Sequence, residues 1–286
     1  KILQVVDVAL PGLWDPPLIH RRPPSPFDDR WVALVSGLRF GSPGSTATLS
    51  RLTRLLRPRD DVCRLIIAGN TLGGDDGEND CMLESLCRLL PVDLLPGADD
   101  PACTMLPQQP LLGTMFPKSR ATLSLYLRTN PTQIGLDAAS ASGGLQIVGS
   151  SGQPLDDMML HGGDSAGQSR LDALELSVRL RHLAPTAPET LPCSPSLRRD
   201  PFVLPSDVDL LFAGNQPCVG SGWASDGNGG PRTRLVLVPD CKVLPMCVFV
   251  HLRTLECVAT PLSERASTAT PLGDCSVTGE ESVERA

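Results

Sequence analysis

The first part of the chain alternates between strand-like and helix-like runs of apolar residues. Residues 31–40 (WVALVSGLRF) form an apolar run that ends in a loop containing Gly and Pro, which is typical of a buried strand. Residues 46–56 place their leucines on one helical face, with Ser45 as a candidate N-cap. A strand at 62–70, an amphipathic helix at 81–90 and a strand at 92–97 are predicted next. This order predicts an α/β core with parallel strands, whose functional sites form at the carboxyl ends of the strands.

The later part of the chain is richer in strands. Strand patterns occur at 123–129, 144–148, 208–214, 234–239, 247–252 and 255–260, and one helical pattern spans 169–182. Residues 149–153 and 221–231 are rich in Gly and Ser and predict loops. We therefore predict a main domain over 31–262.

Both ends of the chain differ from this domain. Residues 1–10 (KILQVVDVAL) predict a single strand left over from a preceding domain, and residues 11–30 a proline-rich linker. Residues 263–286 are polar and carry more acids than bases, so we expect them to be disordered. Because the chain begins without Met or a signal-like segment, we expect it to be an internal piece of a longer protein.

The overall charge argues against a phosphate-binding groove along the whole chain. The net charge is −7 and the pI about 5.1, although a local basic face could form where Arg51, Arg54, Arg57 and Arg59 cluster on one candidate helix and its exit. The ten cysteines include no C-x-x-C pair and lie mostly in apolar runs, which predicts reduced, buried thiols in the cytosol or nucleus. No apolar run approaches the length of a membrane span.

Four loops that follow predicted strands resemble the metal-binding loops of calcineurin-like phosphoesterases in order but not in ligands. They are SGLRFGS (36–42), GNTLGG (69–74), PGADD (96–100) and AGNQP (213–217). Two-metal phosphoesterases need Asp, His and Asn side chains in such loops. The resemblance places non-ligating or altered residues at these positions: Gly37 and Arg39 in the first loop, Asn70 and Gly73 in the second, Ala98 and Asp99 in the third, and Asn215 and Pro217 in the last. Arg39 would also repel a cation, so we predict an inactive site with neither metal nor cofactor.

Several stretches give the chain a more specific resemblance. They are LPQQPL (106–111), TNPTQI (129–134), RHLAPTAPETL (181–191), DPFVLP (200–205) and LFAGNQP (211–217). With these stretches the chain resembles the small (B) subunits of eukaryotic replicative DNA polymerases, most closely the delta type. The resemblance implies a calcineurin-like phosphoesterase fold, with two packed β-sheets flanked by helices, and makes 1–10 the remnant of an oligonucleotide-binding (OB) fold. The loop at 73–80 is shorter than is usual in the family.

The resemblance also implies a function and partners. It implies a non-catalytic accessory subunit of the polymerase delta complex, acting in the nucleus in DNA replication and repair synthesis. Its partners would be the catalytic subunit, through that subunit's C-terminal cysteine-rich domain, and a further regulatory subunit. It would reach DNA only indirectly and would not contact membranes.

Two other functions remain open from the sequence. One is a residual metal-dependent phosphoesterase or nuclease, which would require metal to bind at the altered loops. The other is a module for single-stranded DNA, which would require aromatic side chains on a positive groove. Aromatic residues make up only 3% of the chain and its net charge is negative, which argues against the second alternative.

Other motifs have simpler structural interpretations. Residues 161–167 (HGGDSAG) match the G-x-S-x-G pattern of serine hydrolases but follow no strand, so Ser165 or Ser169 is predicted to cap the next helix. His182 is predicted to be a structural or capping histidine. Two further sets are predicted to be a solvated turn and core thiols, respectively: Asp75, Asp76, Asp80 and Glu84, and Cys241, Cys247 and Cys257 with His251.

Overall fold

The computed structural model of the protein describes residues 29–136, 144–161, 169–195, 199–206, 208–225, 231–262 and 270–272. The strands are β1 (Trp31–Val35), β2 (Val62–Ala68), β3 (Val92–Leu95), β4 (Leu125–Leu127), β5 (Thr132–Leu136), β6 (Leu145–Ser150), β7 (Leu210–Gln216), β8 (Gly220–Ser225), β9 (Pro231–Pro239), β10 (Met246–His251), β11 (Cys257–Pro261) and β12 (Thr270–Pro271). The helices are α1 (Ser45–Leu56), α2 (Asp76–Cys87), α3 (Pro117–Ala121), α4 (Gln153–His161) and α5 (Arg170–Leu180), with a 3-10 turn at Gly113–Met115.

The strands form two sheets. The first has the order β12-β11-β10-β1-β2-β3-β4, in which β1 to β4 are parallel and β10 to β12 pair antiparallel. The second has the order β5-β6-β7-β9-β8, with parallel β6, β7 and β9 between two antiparallel edge strands. The predicted parallel core is therefore confirmed.

Apolar side chains fill the space between the sheets and cover both outer faces. Between the sheets, buried residues of the first sheet such as Leu34 and Ile66 belong to one cluster with Ile147 and Phe212 of the second. A second cluster packs α1 and α2 on the outer face of the first sheet, and a third packs α4 and α5 on the second sheet. Two packed sheets flanked by helices are thus confirmed as the architecture.

The structure corrects two predicted helix starts. α2 begins at Asp76 rather than at 81, because acidic residues suit the first turn of a helix, where free amides and the helix dipole favour negative charge. The N-cap of α1 is Gly44, in the left-handed conformation with φ of 88°, rather than Ser45. The Ser45 hydroxyl instead donates to the Ser42 carbonyl at 2.8 Å. In contrast, Ser169 caps α5 as predicted, through a reciprocal capping box with Asp172.

Several short elements of the structure differ from the predictions or were not predicted. The predicted loop at 221–231 contains most of β8 and the start of β9, since a buried strand of small residues resembles a loop in sequence. Strand β5 and helix α3 were not predicted at all, because both are only five residues long. Within the predicted disordered tail, β12 pairs with β11 and Leu272 is buried, so the prediction is wrong for these residues.

The other predictions for the ends of the chain stay predictions, because the structure does not describe the residues concerned. Residues 1–28, which include the predicted OB-fold remnant and most of the linker, lie outside the described residues. No helix among the described residues is long and apolar enough to cross a membrane.

Candidate functional site

The loops singled out in the sequence meet at the carboxyl edge of the two sheets. The Gly37 amide donates to the Gly69 carbonyl at 3.0 Å, and the Arg39 amide to the Asn70 carbonyl at 3.1 Å. Arg39, Asn70 and Asn215 all have left-handed backbone conformations, with φ of 44°, 53° and 53°. Such conformations are uncommon for residues with a Cβ and cluster at functional sites, so this edge is the candidate site.

The Arg39 guanidinium occupies the centre of this edge. Its two terminal nitrogens donate to Asp99 Oδ2 at 2.5 Å and to Asp240 Oδ2 at 3.0 Å. Burial disfavours the charge of Arg39, but the hydrogen bonds to Asp99 and Asp240 outweigh it, so the pKa of Arg39 is raised. Arg39 thereby links the loops that follow β1, β3 and β9, and it places a fixed positive charge among them.

The two asparagines at the site bind protein backbone. Asn70 Oδ1 accepts a hydrogen bond from the Asp99 amide at 3.0 Å. The Asn215 side-chain amide donates to the carbonyls of Ala68 and Ser151 at 2.9 and 2.8 Å, and the Asn215 backbone amide donates to Ser36 Oγ at 2.8 Å. Asn215 therefore joins the first sheet to the second.

The other predicted positions have little room or no contact with the centre. A Cβ on Gly37, whose φ is 66°, would lie 2.0 Å from Asp240 Oδ1, and a Cβ on Gly73 would lie 3.0 Å from the Phe40 carbonyl oxygen. Gly73, Ala98 and Pro217 are exposed at the surface. The structure thus brings Arg39, Asn70, Asp99 and Asn215 together, and it leaves Ala98 and Pro217 at the rim.

Sequence reasoning missed two aspartates that organise the site. Asp100 is buried, and its carboxylate accepts hydrogen bonds from the amides of Thr71, Leu72 and Gly97 at 2.8–2.9 Å. Burial raises the pKa of Asp100, against the opposing effect of these amide bonds. Asp240, at the end of β9, is the second missed residue. A signal existed for Asp100, which adjoins the predicted Asp99.

A buried polar network underlies the site. The Asn130 side-chain amide donates to Gln108 Oε1, Ser151 Oγ and Gln153 Oε1 at 2.7–3.0 Å, and its Oδ1 accepts from the Ser151 amide at 2.9 Å. Gln108 in turn donates to the Gly97 carbonyl at 3.0 Å. Asn130 and Gln108 come from TNPTQI and LPQQPL, so these motifs meet in the interior beneath the strand ends.

The remaining motifs have structural roles or lie outside the described residues. Asp80 was predicted to lie in a solvated turn, and this prediction is wrong. Its side chain is buried and accepts hydrogen bonds from the Lys118 and Ser119 amides at the start of α3. His182 Nε2 lies 2.9 Å from Asp200 Oδ2, and its Nδ1 accepts from the Ala184 amide. Residues 162–168, which contain the whole G-x-S-x-G pattern (163–167), lie outside the described residues.

The cysteines are partly as predicted. All nine within the described ranges are free, and Cys87, Cys241, Cys247 and Cys257 are buried. Burial raises the pKa of Cys87 and of Cys241 to about 12, so both remain protonated thiols at neutral pH. The prediction of burial is wrong for two cysteines, Cys81 and Cys103, which are exposed.

Hydrogen bonds and ion pairs within the chain account for the polar side chains at the centre of the strand ends. In the described part of the chain, no three side chains of His, Cys, Asp or Glu are placed to share a metal ion. At the centre, the carboxylates of Asp99 and Asp240 already bind Arg39. The arrangement suits a rigid scaffold edge.

Comparison with known proteins identifies the family of the chain. The model of the DNA polymerase alpha/epsilon B-subunit family matches residues 74–220, and the chain therefore belongs to this family. Among curated proteins it is similar to the DNA polymerase delta small subunits of Arabidopsis thaliana (34% identity over 88% of this chain and 62% of the relative) and Oryza sativa (31% over 88% and 63%). It is also similar to DNA polymerase delta subunit 2 of Drosophila melanogaster (39% over 60% and 38%). The resemblance to the delta type is confirmed.

The chain spans less than two thirds of the length of the plant relatives. Among solved structures, Vps29 of Chaetomium thermophilum matches 85% of this chain and 95% of its own, with 11% identity and a TM-score of 0.39.

Proposed function

We propose that this chain is a non-catalytic accessory subunit of a DNA polymerase delta complex. It would act in the nucleus, in replication and repair synthesis, as a scaffold with the form of an inactivated calcineurin-like phosphoesterase. Its partners would be the C-terminal cysteine-rich domain of the catalytic subunit and a further regulatory subunit, and it would reach DNA through the complex. Family membership and the similarity to delta small subunits support this assignment.

The observation that carries the non-catalytic assignment is the position of Arg39. Its guanidinium is held by Asp99 and Asp240 at the strand ends, where an active calcineurin-like phosphoesterase would bind two cations. A cation placed beside it would face direct repulsion, which weakens only slowly with distance in a partly buried site. Restoring the site would also be difficult, because Gly37 has no space for a side chain beside Asp240.

Co-expression with the cysteine-rich domain of a delta catalytic subunit tests the scaffold role. We expect the two chains to co-elute in size-exclusion chromatography as a one-to-one complex. Separate elution, with this chain shown to be folded by cooperative thermal unfolding, would refute the assignment. An unrelated cysteine-rich zinc domain serves as the control for non-specific capture.

A manganese titration tests the residual phosphoesterase alternative. We expect calorimetry to detect no stoichiometric Mn²⁺ binding and bis(p-nitrophenyl) phosphate to remain unhydrolysed. Saturable hydrolysis that is lost in Asp240→Asn would instead establish a metal site at the strand ends.

A further inference from the structure

A cysteine and a lysine lie side by side on the surface where α2 meets α3. The Lys118 amine donates a hydrogen bond to the Cys81 sulfur at 3.1 Å, and both residues are exposed to solvent. Cys81 lies in the second turn of α2, and Lys118 is the second residue of α3. The two residues are 37 positions apart in the sequence, so only the fold brings them together. Neither belongs to the candidate site.

The carboxylate of Asp80 fixes the backbone at both positions. Asp80 directly precedes Cys81 in α2, and its side chain accepts hydrogen bonds from the Lys118 amide at 2.8 Å and the Ser119 amide at 2.9 Å. The Ser119 hydroxyl also donates to the side chain of Asp80 at 2.7 Å and to its carbonyl at 3.0 Å. Asp80 and Ser119 are both buried, which shields these bonds from water. The contact between the Cys81 sulfur and the Lys118 amine therefore rests on backbone that a buried network holds in place.

The Lys118 ammonium favours the reactive form of its neighbour. The thiolate, rather than the thiol, is the nucleophile in cysteine chemistry, and an adjacent lysine stabilises it. The interaction also acts on the lysine, because the hydrogen bond with Cys81 and the charge of its thiolate raise the pKa of Lys118. An exposed thiolate is accessible to small oxidants such as hydrogen peroxide. Cys81 is therefore placed to be oxidised next to an amine.

Two other cysteines lack this combination. Cys103 is also exposed, but within the described part of the chain its sulfur has no hydrogen-bond partner. Cys87 lies on the same helix as Cys81 but is buried, and this burial raises its pKa to about 12. Of these three cysteines, Cys81 alone combines exposure with a neighbouring amine, and Cys103 is its natural control.

We propose that Cys81 and Lys118 form an oxidative modification site, at which hydrogen peroxide joins the two side chains through a covalent sulfur–nitrogen bond. The flexible stem of lysine allows the amine to close the 3.1 Å gap to the sulfur. The bond would link α2 covalently to the start of α3. Added thiols would reverse it, because a thiolate attacks the sulfur and the amine leaves.

The reaction balances with peroxide as the oxidant. The Cys81 thiolate attacks one peroxide oxygen and the O–O bond breaks, which gives a sulfenic acid and hydroxide. The hydroxide takes a proton from the Lys118 ammonium, which no longer faces a thiolate. The free amine then attacks the sulfenic sulfur, so that the S–N bond forms and the S–O bond breaks. The oxygen leaves as water with a proton from the nitrogen. One peroxide is thus reduced to two waters, and the sulfur loses two electrons.

Peptide mapping of the whole chain after peroxide treatment tests this proposal. Trypsin leaves Cys81 in peptide 65–88 and cuts after Lys118, at the end of peptide 89–118. A bond at the Lys118 amine blocks that cut. Under denaturing, non-reducing conditions we therefore expect peptide 65–88 joined to 89–120, with the loss of two hydrogens. Treatment with dithiothreitol before digestion should remove this product and restore cleavage after Lys118.

Matched variants separate the two steps. Lys118→Arg keeps a cation beside Cys81 but has no nucleophilic amine, so dimedone should still trap the sulfenic acid while the crosslinked peptide disappears. Lys118→Gln should abolish the crosslink and also slow the trapping at Cys81 several-fold, because the cation is lost. Cys81→Ser should abolish the crosslink, whereas Cys103→Ser should leave its yield unchanged. All of these variants change exposed side chains.

Three results would overturn the proposal. The first is a linked product in which Lys118 is still cleaved, since that product is a disulfide with Cys103. The second is a crosslink that persists in Lys118→Arg. The third is dimedone trapping that is no faster at Cys81 than at Cys103 in the unaltered chain. The proposed function does not depend on these results, because the reaction needs no partner subunit.

Discussion

Replacing Arg39 by Ala tests whether its guanidinium holds the strand-end loops together. The two ion pairs differ in environment, because the Asp99 side chain is 55% exposed and the Asp240 side chain only 13% exposed. The exposed pair should contribute at most about 0.2–1 kcal/mol. The hydrogen bond to the less accessible Asp240 should contribute about 1.5–3 kcal/mol, because its carboxylate loses a charged donor and regains little water. We therefore expect Arg39→Ala to lower the free energy of unfolding by about 2–3 kcal/mol.

Because the backbone at Arg39 is left-handed, comparing substitutions at this position distinguishes the effect of the ion pairs from the effect of backbone strain. With φ of 44°, alanine at 39 keeps the strain, whereas glycine relieves it by about 1 kcal/mol. Arg39→Gly should therefore be less destabilising than Arg39→Ala, apart from the greater freedom of glycine in the unfolded chain. Arg39→Lys, which has a point charge in place of a fork, should retain one of the two contacts and fall between Arg and Ala.

The assay is urea unfolding followed by circular dichroism. The dependence of the unfolding free energy on urea concentration is compared between variants, to confirm that the same transition is measured. Arg88→Ala is the matched control, because Arg88 pairs with Glu84 on the exposed face of α2 and should cost only about 0.3–0.5 kcal/mol. If Arg39→Ala is no more destabilising than Arg88→Ala, the contacts of Arg39 with Asp99 and Asp240 do not hold the strand-end loops together.

Three further changes test other parts of the fold. Asn130→Ala removes the centre of the buried network and leaves at least two polar groups unsatisfied, so we expect a loss of about 3 kcal/mol or more in the same urea assay; a loss below 1 kcal/mol would contradict the network. Gly37→Ala adds a Cβ that would lie 2.0 Å from Asp240 Oδ1 at positive φ, and should lower the melting temperature clearly more than Gly77→Ala in the first turn of α2. Burial would raise the pKa of Asp80, but its hydrogen bonds from Ser119 and from the backbone hold that pKa below the usual value. Its stabilising contribution is therefore complete above a pH of about 4 and is lost as the pH falls through the lowered pKa, so Asp80→Asn should flatten the acid limb of a stability-against-pH curve. An unchanged acid limb would show that Asp80 titrates normally.

The order of strands and helices in the core could be predicted because each element has its own apolar period. The continuous runs in β1, β2 and β10 are buried on both faces, and the four leucines of α1 face the first sheet. The short or glycine-rich elements could not be predicted in the same way. The small residues of β8 predict a loop. The segment is nevertheless a strand, because it pairs with β9. Such elements are determined by their neighbours rather than by local propensity.

The candidate site could be predicted only as a set of loops. The positions of Arg39, Asn70 and Asn215 were evident from their places after strands, but their partners were not. Asp240 is 201 residues away from Arg39 in sequence, and nothing in the local pattern of either residue indicates the other. The Asn130 network could not be predicted either. The motif TNPTQI was singled out for its family resemblance, and nothing in it indicated that Asn130 is buried. Such long-range polar contacts depend on how the two sheets pack on one another, which the local sequence pattern does not encode.

The charges at the two edges of the first sheet follow from one physical requirement. Carboxylates that are partly removed from water need fixed donors or cations, whatever the chemistry of the protein. At the carboxyl edge, Arg39 meets this need for Asp240, and backbone amides meet it for Asp100. At the amino edge, the buried carboxylate of Asp93 has its cations too, because it lies between Arg64 and Arg128. The loops that resemble a catalytic centre therefore follow the same rule as the rest of the sheet: each carboxylate removed from water is matched by a donor of the chain itself.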